Sequence, residues 1–159
     1  FTDSHPVFLD TVQILRPVFD RYSGIMTDMY FDYFLASDFE KYSEGASLSC
    51  FATDFYLSAL LNYPWLPRRV KSFIFHFVGT NRLAKYASYD GLHESLSIMS
   101  RVKSDAINPD LSIAFLKENE DALRQNFHLF MPEVIAYVAH RRNGVLKQAD
   151  TSSPDNASV

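Results

Sequence analysis

Two aspartates four residues apart, Asp28 and Asp32, lie in a stretch that is otherwise almost entirely aromatic and aliphatic, IMTDMYFDYFLASDF (25–39). Side chains at i and i+4 of a helix project side by side, so both carboxylates belong to one face. Like charges at that spacing repel, and taking them out of water is costly unless a cation compensates. Two readings stay open. A hard divalent ion, Mg²⁺ or Mn²⁺, prefers carboxylate oxygen and would sit between them. Alternatively, one Asp pairs with an arginine such as Arg16 or Arg21 while the other reaches solvent.

The opening FTDSHP places Asp3 and His5 on either side of Ser4. Ser4 can cap a first helix with Pro6 near its first position, where proline's missing N–H is not needed. Asp3 and His5 are then free for other work. A histidine beside a carboxylate serves as a metal ligand or acid–base pair, or simply as a cap or surface residue. The short YSG turn (22–24) makes the first two helices antiparallel neighbours. This leaves Asp3 and His5 near the C-terminal end of the second helix, closer to Asp32 than to Asp28. The other histidines point less clearly to chemistry: His76 lies in an apolar run and is expected in the core, and His93, His128 and His140 sit on later helices. Cys50 has no adjacent base and reads as a small hydrophobe. No phosphate-binding glycine loop, nucleophile elbow or zinc-protease helix is present.

The elements that must position these residues are helical throughout. No strand-like alternation of any length occurs, and glycine is scarce, with five residues, as suits helices joined by short turns. The apolar spacing predicts a first helix from Pro6 to about Phe19, a second over about 25–41 that is buried from most sides, and a third over about 48–63. Prolines in YPWLP end the third. A fourth runs from about Pro67 to Val78, with shorter helices over 81–87 and 90–102, the latter capped by Asp90. A long last helix starts at the NPD cap (108–110) and reaches about Arg142, bent at Pro132. Residues 1–143 thus read as one all-α helical bundle, and the polar 144–159 as a disordered tail.

Composition bounds the rest. At 159 residues and 47% hydrophobic, the chain can bury a core of its own and is too apolar for a disordered protein. It has no uncharged apolar run long enough for a transmembrane helix, and no membrane partner is expected. One cysteine excludes an internal disulfide, and a cytoplasmic setting is expected. A net charge of −4 argues against nucleic acid as a partner. Yet Arg68, Arg69, Lys71, Arg82, Lys85, Arg101 and Lys103 make the middle of the chain locally basic: either ordinary solvated helix faces or a docking surface for an acidic partner.

FTDSHP, followed about twenty residues later by YSGIMTDMYFDYFLA and then by NRLAKYASYDGLHESLSIMSR (81–101), resembles the acyl carrier protein phosphodiesterase family over about residues 1–140. The resemblance implies an HD-domain-like hydrolase dependent on Mn²⁺ or Mg²⁺. Its reaction would cleave the phosphodiester between 4′-phosphopantetheine and a serine of holo acyl carrier protein, releasing the apo protein. Carried over by motif, Asp3, Asp28 and Asp32 would be catalytic and metal-binding, with His5 a further metal ligand. A bound metal would polarise the phosphoryl oxygen and acidify a water. Acyl carrier proteins are acidic as a class, which gives Arg68, Arg69, Lys71, Arg82, Lys85 and Arg101 a partner to steer. Tyr33 stands where the family often has His, Arg82 where Trp is common, and Val102 in place of an Arg. The family's upstream His-Arg-x-Ile-Asp segment precedes the point where this chain opens, so part of a metal site is expected there, and apolar surface left open would favour self-association. Two other functions remain in view: a related phosphohydrolase acting on a nucleotide, and a non-catalytic protein-binding domain.

Overall fold

In the computed structural model, residues 1–103 and 107–151 are described, with side chains omitted at 72, 73, 76, 102, 103 and 144–151. His76 and Val102 therefore lie outside the described side chains, and 152–159, part of the expected tail, outside the described residues.

Pro6 opens α1 (Pro6–Phe19), with His5 in extended conformation just before it. Ser4 does not cap this helix. Residues Thr2–Ser4 coil into a 3-10 turn of their own, and the Ser4 hydroxyl donates back to the Phe1 carbonyl at 3.3 Å. Phe8, Thr11, Leu15 and Phe19 recur every three or four residues and form the buried stripe of α1. The helix ends at Asp20, whose φ of 44° turns the chain toward α2.

α2 (Ser23–Ser37) buries Met26, Met29, Tyr30, Phe31, Tyr33, Phe34 and Ala36, so apolar residues cover nearly every side of it, as the composition of 25–39 requires. It stops sooner than expected, at Asp38, and the chain turns into the single-turn α3 (Phe39–Tyr42). α4 (Leu48–Leu61) is capped by Ser47, whose side chain accepts from the Cys50 amide. Pro64 and Pro67 then separate it from α5 (Arg68–Gly79). The short α6 (Arg82–Lys85) leads to α7 (Tyr89–Lys103). Ser88, not Asp90, caps α7 by accepting from the Gly91 amide at 3.2 Å. α8 (Pro109–Thr151) is capped by Asn108, which accepts from Leu111 N, and it continues past Gly144 with Pro132 inside it.

The core lies among α1, α2, α7 and α8. Leu15, Met26, Tyr30, Phe34, Leu92, Leu96, Leu116, Leu123 and Phe127 are all closed to solvent there. Two side-chain bonds pin these layers together. The Tyr30 hydroxyl donates to the Ser112 carbonyl at 2.7 Å, and Asn126 Nδ2 donates to Thr11 Oγ1 at 3.0 Å. All regular structure among the described residues is helical, in one bundle. No helix among them is long and apolar enough to cross a membrane. The α4–α5 hairpin sits outside the core: among its described side chains only Ala52 and Ile74 are buried.

Candidate functional site

The four-residue spacing on α2 keeps Asp28 and Asp32 on one face while their neighbours turn inward. Water still reaches both carboxylates, but apolar side chains hem them in. Together with Thr2, Phe8, Phe31 and Phe130 they line a cavity of about 230 Å³. Asp32 also lines a second cavity of about 230 Å³, whose other walls include Phe39, Leu48, Phe51, Phe77 and Tyr86. It stands at the junction of the two.

Burial raises the Asp32 carboxyl to about 6, and the charge of Asp28 adds to the effect. Asp28 is also raised, first by burial and then by the charge of Asp3. The charge of Asp3 thus acts on Asp28, where the antiparallel pairing of α1 and α2 pointed to Asp32. The turn that carries Asp3, Thr2–Ser4, stands ahead of α1, and Thr2 lines the cavity with both aspartates. Among the described residues no arginine pairs with either aspartate. Arg21 instead lies over the Tyr22 ring, 4.9 Å from its centroid, and bonds the Tyr22 hydroxyl. Neither Asp28 nor Asp32 forms a hydrogen bond or ion pair among the described residues.

His5 is buried and pairs with Glu133 rather than with either aspartate. Its Nε2 lies 3.0 Å from Glu133 Oε2 on α8, and its ring meets Phe130 edge-on at 5.0 Å. Its Nδ1 is buried with no hydrogen-bond partner. Among the described residues, no three His, Cys, Asp or Glu side chains converge closely enough to hold a metal. Asp28 and Asp32 fit Mg²⁺ or Mn²⁺ in donor type and charge all the same. Such ions are commonly held by one or two carboxylates, with water and substrate phosphate filling the other positions.

The basic candidates divide. Lys85 is paired with Glu94 at 2.6 Å. Arg82 is half-buried, with one guanidinium nitrogen lacking a partner. Lys71 donates to the Pro64 carbonyl at 2.9 Å. Arg68, Arg69 and Arg101 are exposed.

A polar network went unread in the sequence. Arg124 on α8 bridges Asp38 and Glu120, both at 2.7 Å. Tyr89 donates to Glu120, and Tyr33 stacks on Tyr89 with 5.2 Å between ring centroids. Burial alone would raise Glu120, but hydrogen bonds from Arg124 and Tyr89 outweigh it and lower its pKa. Next to Asp38, the Tyr42 hydroxyl lies 2.5 Å from His128 Nδ1, and burial and then Lys41 lower the His128 pKa. Asp38, Lys41, Arg124 and His128 line an open cavity of about 690 Å³. Tyr33, at the position where His is frequent in the resembling family, belongs to this network and not to the Asp28–Asp32 face. The Glu120–Arg124 spacing was the one sequence signal for the network, whereas Asp38 lies too far along the chain to be linked by pattern.

Comparison with known proteins places these residues in a family. The family model described as acyl carrier protein phosphodiesterase matches residues 1–134. No curated protein and no solved structure matches the chain.

Proposed function

Because the chain belongs to the acyl carrier protein phosphodiesterase family, we propose that it hydrolyses the 4′-phosphopantetheine–serine phosphodiester of holo acyl carrier protein in a metal-dependent reaction. The observation that carries this reading is the Asp28–Asp32 pair: two carboxylates on one helix face, with no cationic side chain paired to them among the described residues, opening onto cavities. Asp28 and Asp32 would hold Mg²⁺ or Mn²⁺, which when bound supplies Lewis-acid polarisation of the phosphoryl oxygen and a more acidic water. Asp32, titrating near 6, is largely ionised at neutral pH and ready to accept a proton or a cation. Asp3 adds negative charge at the Asp28 side. The apolar walls beside Asp32 offer surface to the less polar part of the phosphopantetheine arm. In the net reaction, water oxygen bonds to phosphorus and the bond from phosphorus to the serine oxygen breaks. Serine takes the proton, leaving apo carrier protein and free 4′-phosphopantetheine. A cytoplasmic enzyme acting on an acidic protein substrate is consistent with this chemistry.

Incubation of holo carrier protein with Mn²⁺ and this protein should remove the mass of phosphopantetheine. Asp28→Asn and Asp32→Asn should each reduce the rate at least about a hundredfold, the scale on which metal-ligand and charge-stabilising groups act. Loss of a nucleotide phosphate with the carrier untouched would refute this substrate.

A second reading, a non-catalytic binding domain, draws on His5 being tied to Glu133 rather than to the aspartates. It requires that Mn²⁺ leave the thermal stability unchanged, in the native protein and in Asp28→Asn alike.

A further inference from the structure

We propose that the exposed face of the α4–α5 hairpin is where an acidic carrier protein docks, gripped by apolar anchors and bordered by Arg68 and Arg69. This rests on the phosphodiesterase reading and gives its protein substrate a place on the molecule.

Charge singles out this face. From Leu48 to Asn81 the chain has one acidic residue, Asp54, against Arg68, Arg69 and Lys71, in a protein of net charge −4. Arg68 and Arg69 stand exposed at the start of α5 and give this face its cationic rim. The apolar surface is the second observation. α4 buries only Ala52 and leaves Phe55, Leu57 and Leu61 open, with Leu61 71% and Trp65 86% exposed. An apolar strip of this kind beside cations marks an interaction site, and tryptophan and arginine are the side chains that most often carry interface energy.

The tip is also built rather than loose. Lys71 Nζ bonds the Pro64 carbonyl and sits 5.2 Å from the Tyr63 ring centroid, while Tyr63 packs on Phe75 at 4.7 Å. Trp65 is therefore displayed on a turn held from both sides, which lowers the entropy lost on docking.

Position supplies the third observation. A phosphoester on a serine lies one side-chain length from the carrier's backbone, so the docking face must border the carboxylates. Phe51 lines the cavity that Asp32 also lines, and ring contacts continue from Phe51 to Phe55 and from Phe55 to Phe77. From Phe51 to Leu61 the helix covers about 15 Å, within the footprint of a small domain. A second copy of this chain fits less well. A two-fold contact sets a patch against itself, and this patch carries an excess of positive charge.

Trp65 is the single tryptophan, so its fluorescence reports on this face without any need for turnover. Titration of this chain with a tryptophan-free acidic apo carrier should shift the emission to the blue and shield it from acrylamide. Leu61→Asp and Arg68→Glu, both at exposed positions, should each weaken that titration about tenfold or more and raise KM for the holo carrier in step. Emission that does not move at carrier concentrations saturating hydrolysis overturns the docking face. So does a shift produced by anionic vesicles, or by raising the protein concentration, with no effect of carrier. A carrier-dependent shift without hydrolysis of any phosphodiester upholds the docking face and sinks the catalytic reading instead.

Discussion

Asp32 stands one turn beyond Asp28 on the same face of α2, and burial together with the Asp28 charge lifts its carboxyl to about 6. Its ordinary value is 3.8, so the folded protein holds this proton more tightly than the unfolded chain does. The cost of ionising Asp32 is absent below about pH 4, grows as pH rises, and is complete above about pH 6. Stability contributed by this group therefore falls across that window. Asp32→Asn should flatten the melting-temperature profile between about pH 4 and 6 and raise the melting temperature at pH 7. Parallel profiles for the two proteins would contradict the assignment. Asp28→Asn should lower the Asp32 pKa only part of the way, because burial is the larger cause; carboxyl NMR titration reads this directly.

Gly91 lies in the first turn of α7, where a Cβ would meet the Lys85 carbonyl oxygen at 2.0 Å. In an open helix, Gly→Ala stabilises by about 1 kcal/mol. Here the obstacle is backbone, which cannot swing aside as a side chain would. Gly91→Ala should destabilise by about 1–3 kcal/mol in urea unfolding. A gain in stability would show that α6 and α7 can separate freely.

Tyr30→Phe removes one buried hydrogen bond, to the Ser112 carbonyl, while keeping the ring in place. The expected loss is about 0.5–1.5 kcal/mol. Phe127→Ala, at a side chain closed to solvent between α2 and α8, should cost about 3–5 kcal/mol. Equal losses in the two variants would contradict the expectation that apolar packing dominates at this interface.

Arg124 holds two carboxylates from different elements, Asp38 and Glu120, and its side chain is 26% exposed. Arg124→Met keeps much of the volume but leaves both acids unpaired, and should cost about 1.5–3 kcal/mol. Adding Asp38→Asn should recover part of it. The same Arg124→Met change removes a cation that holds the His128 pKa down, so His128 should titrate higher by NMR. An unmoved His128 would place Arg124 outside its electrostatic reach.

The all-α class, the order of the helices and the near-complete burial of α2 were legible without coordinates. Each follows from local rules: apolar residues at helical spacing, prolines that block continuation, and a cap such as Asn108. Where neighbouring residues competed for one role, the same rules misassigned it. Ser4 bonds Phe1 within its own turn, and Ser88 caps α7 in place of Asp90. α2 ends at Asp38, earlier than its apolar pattern indicated; that residue pairs with Arg124, 86 positions away.

The sequence by itself determined that Asp28 and Asp32 share a face, because four residues are about one turn of any α-helix. Only the tertiary structure decided that no arginine among the described residues pairs with them, that the charge of Asp3 acts on Asp28, and that Asp32 lines two cavities. It also decided that His5 turns to Glu133, 128 residues distant. A side chain's angle around its own helix is a local property, whereas its partner depends on how separate helices pack, which no spacing within one helix encodes.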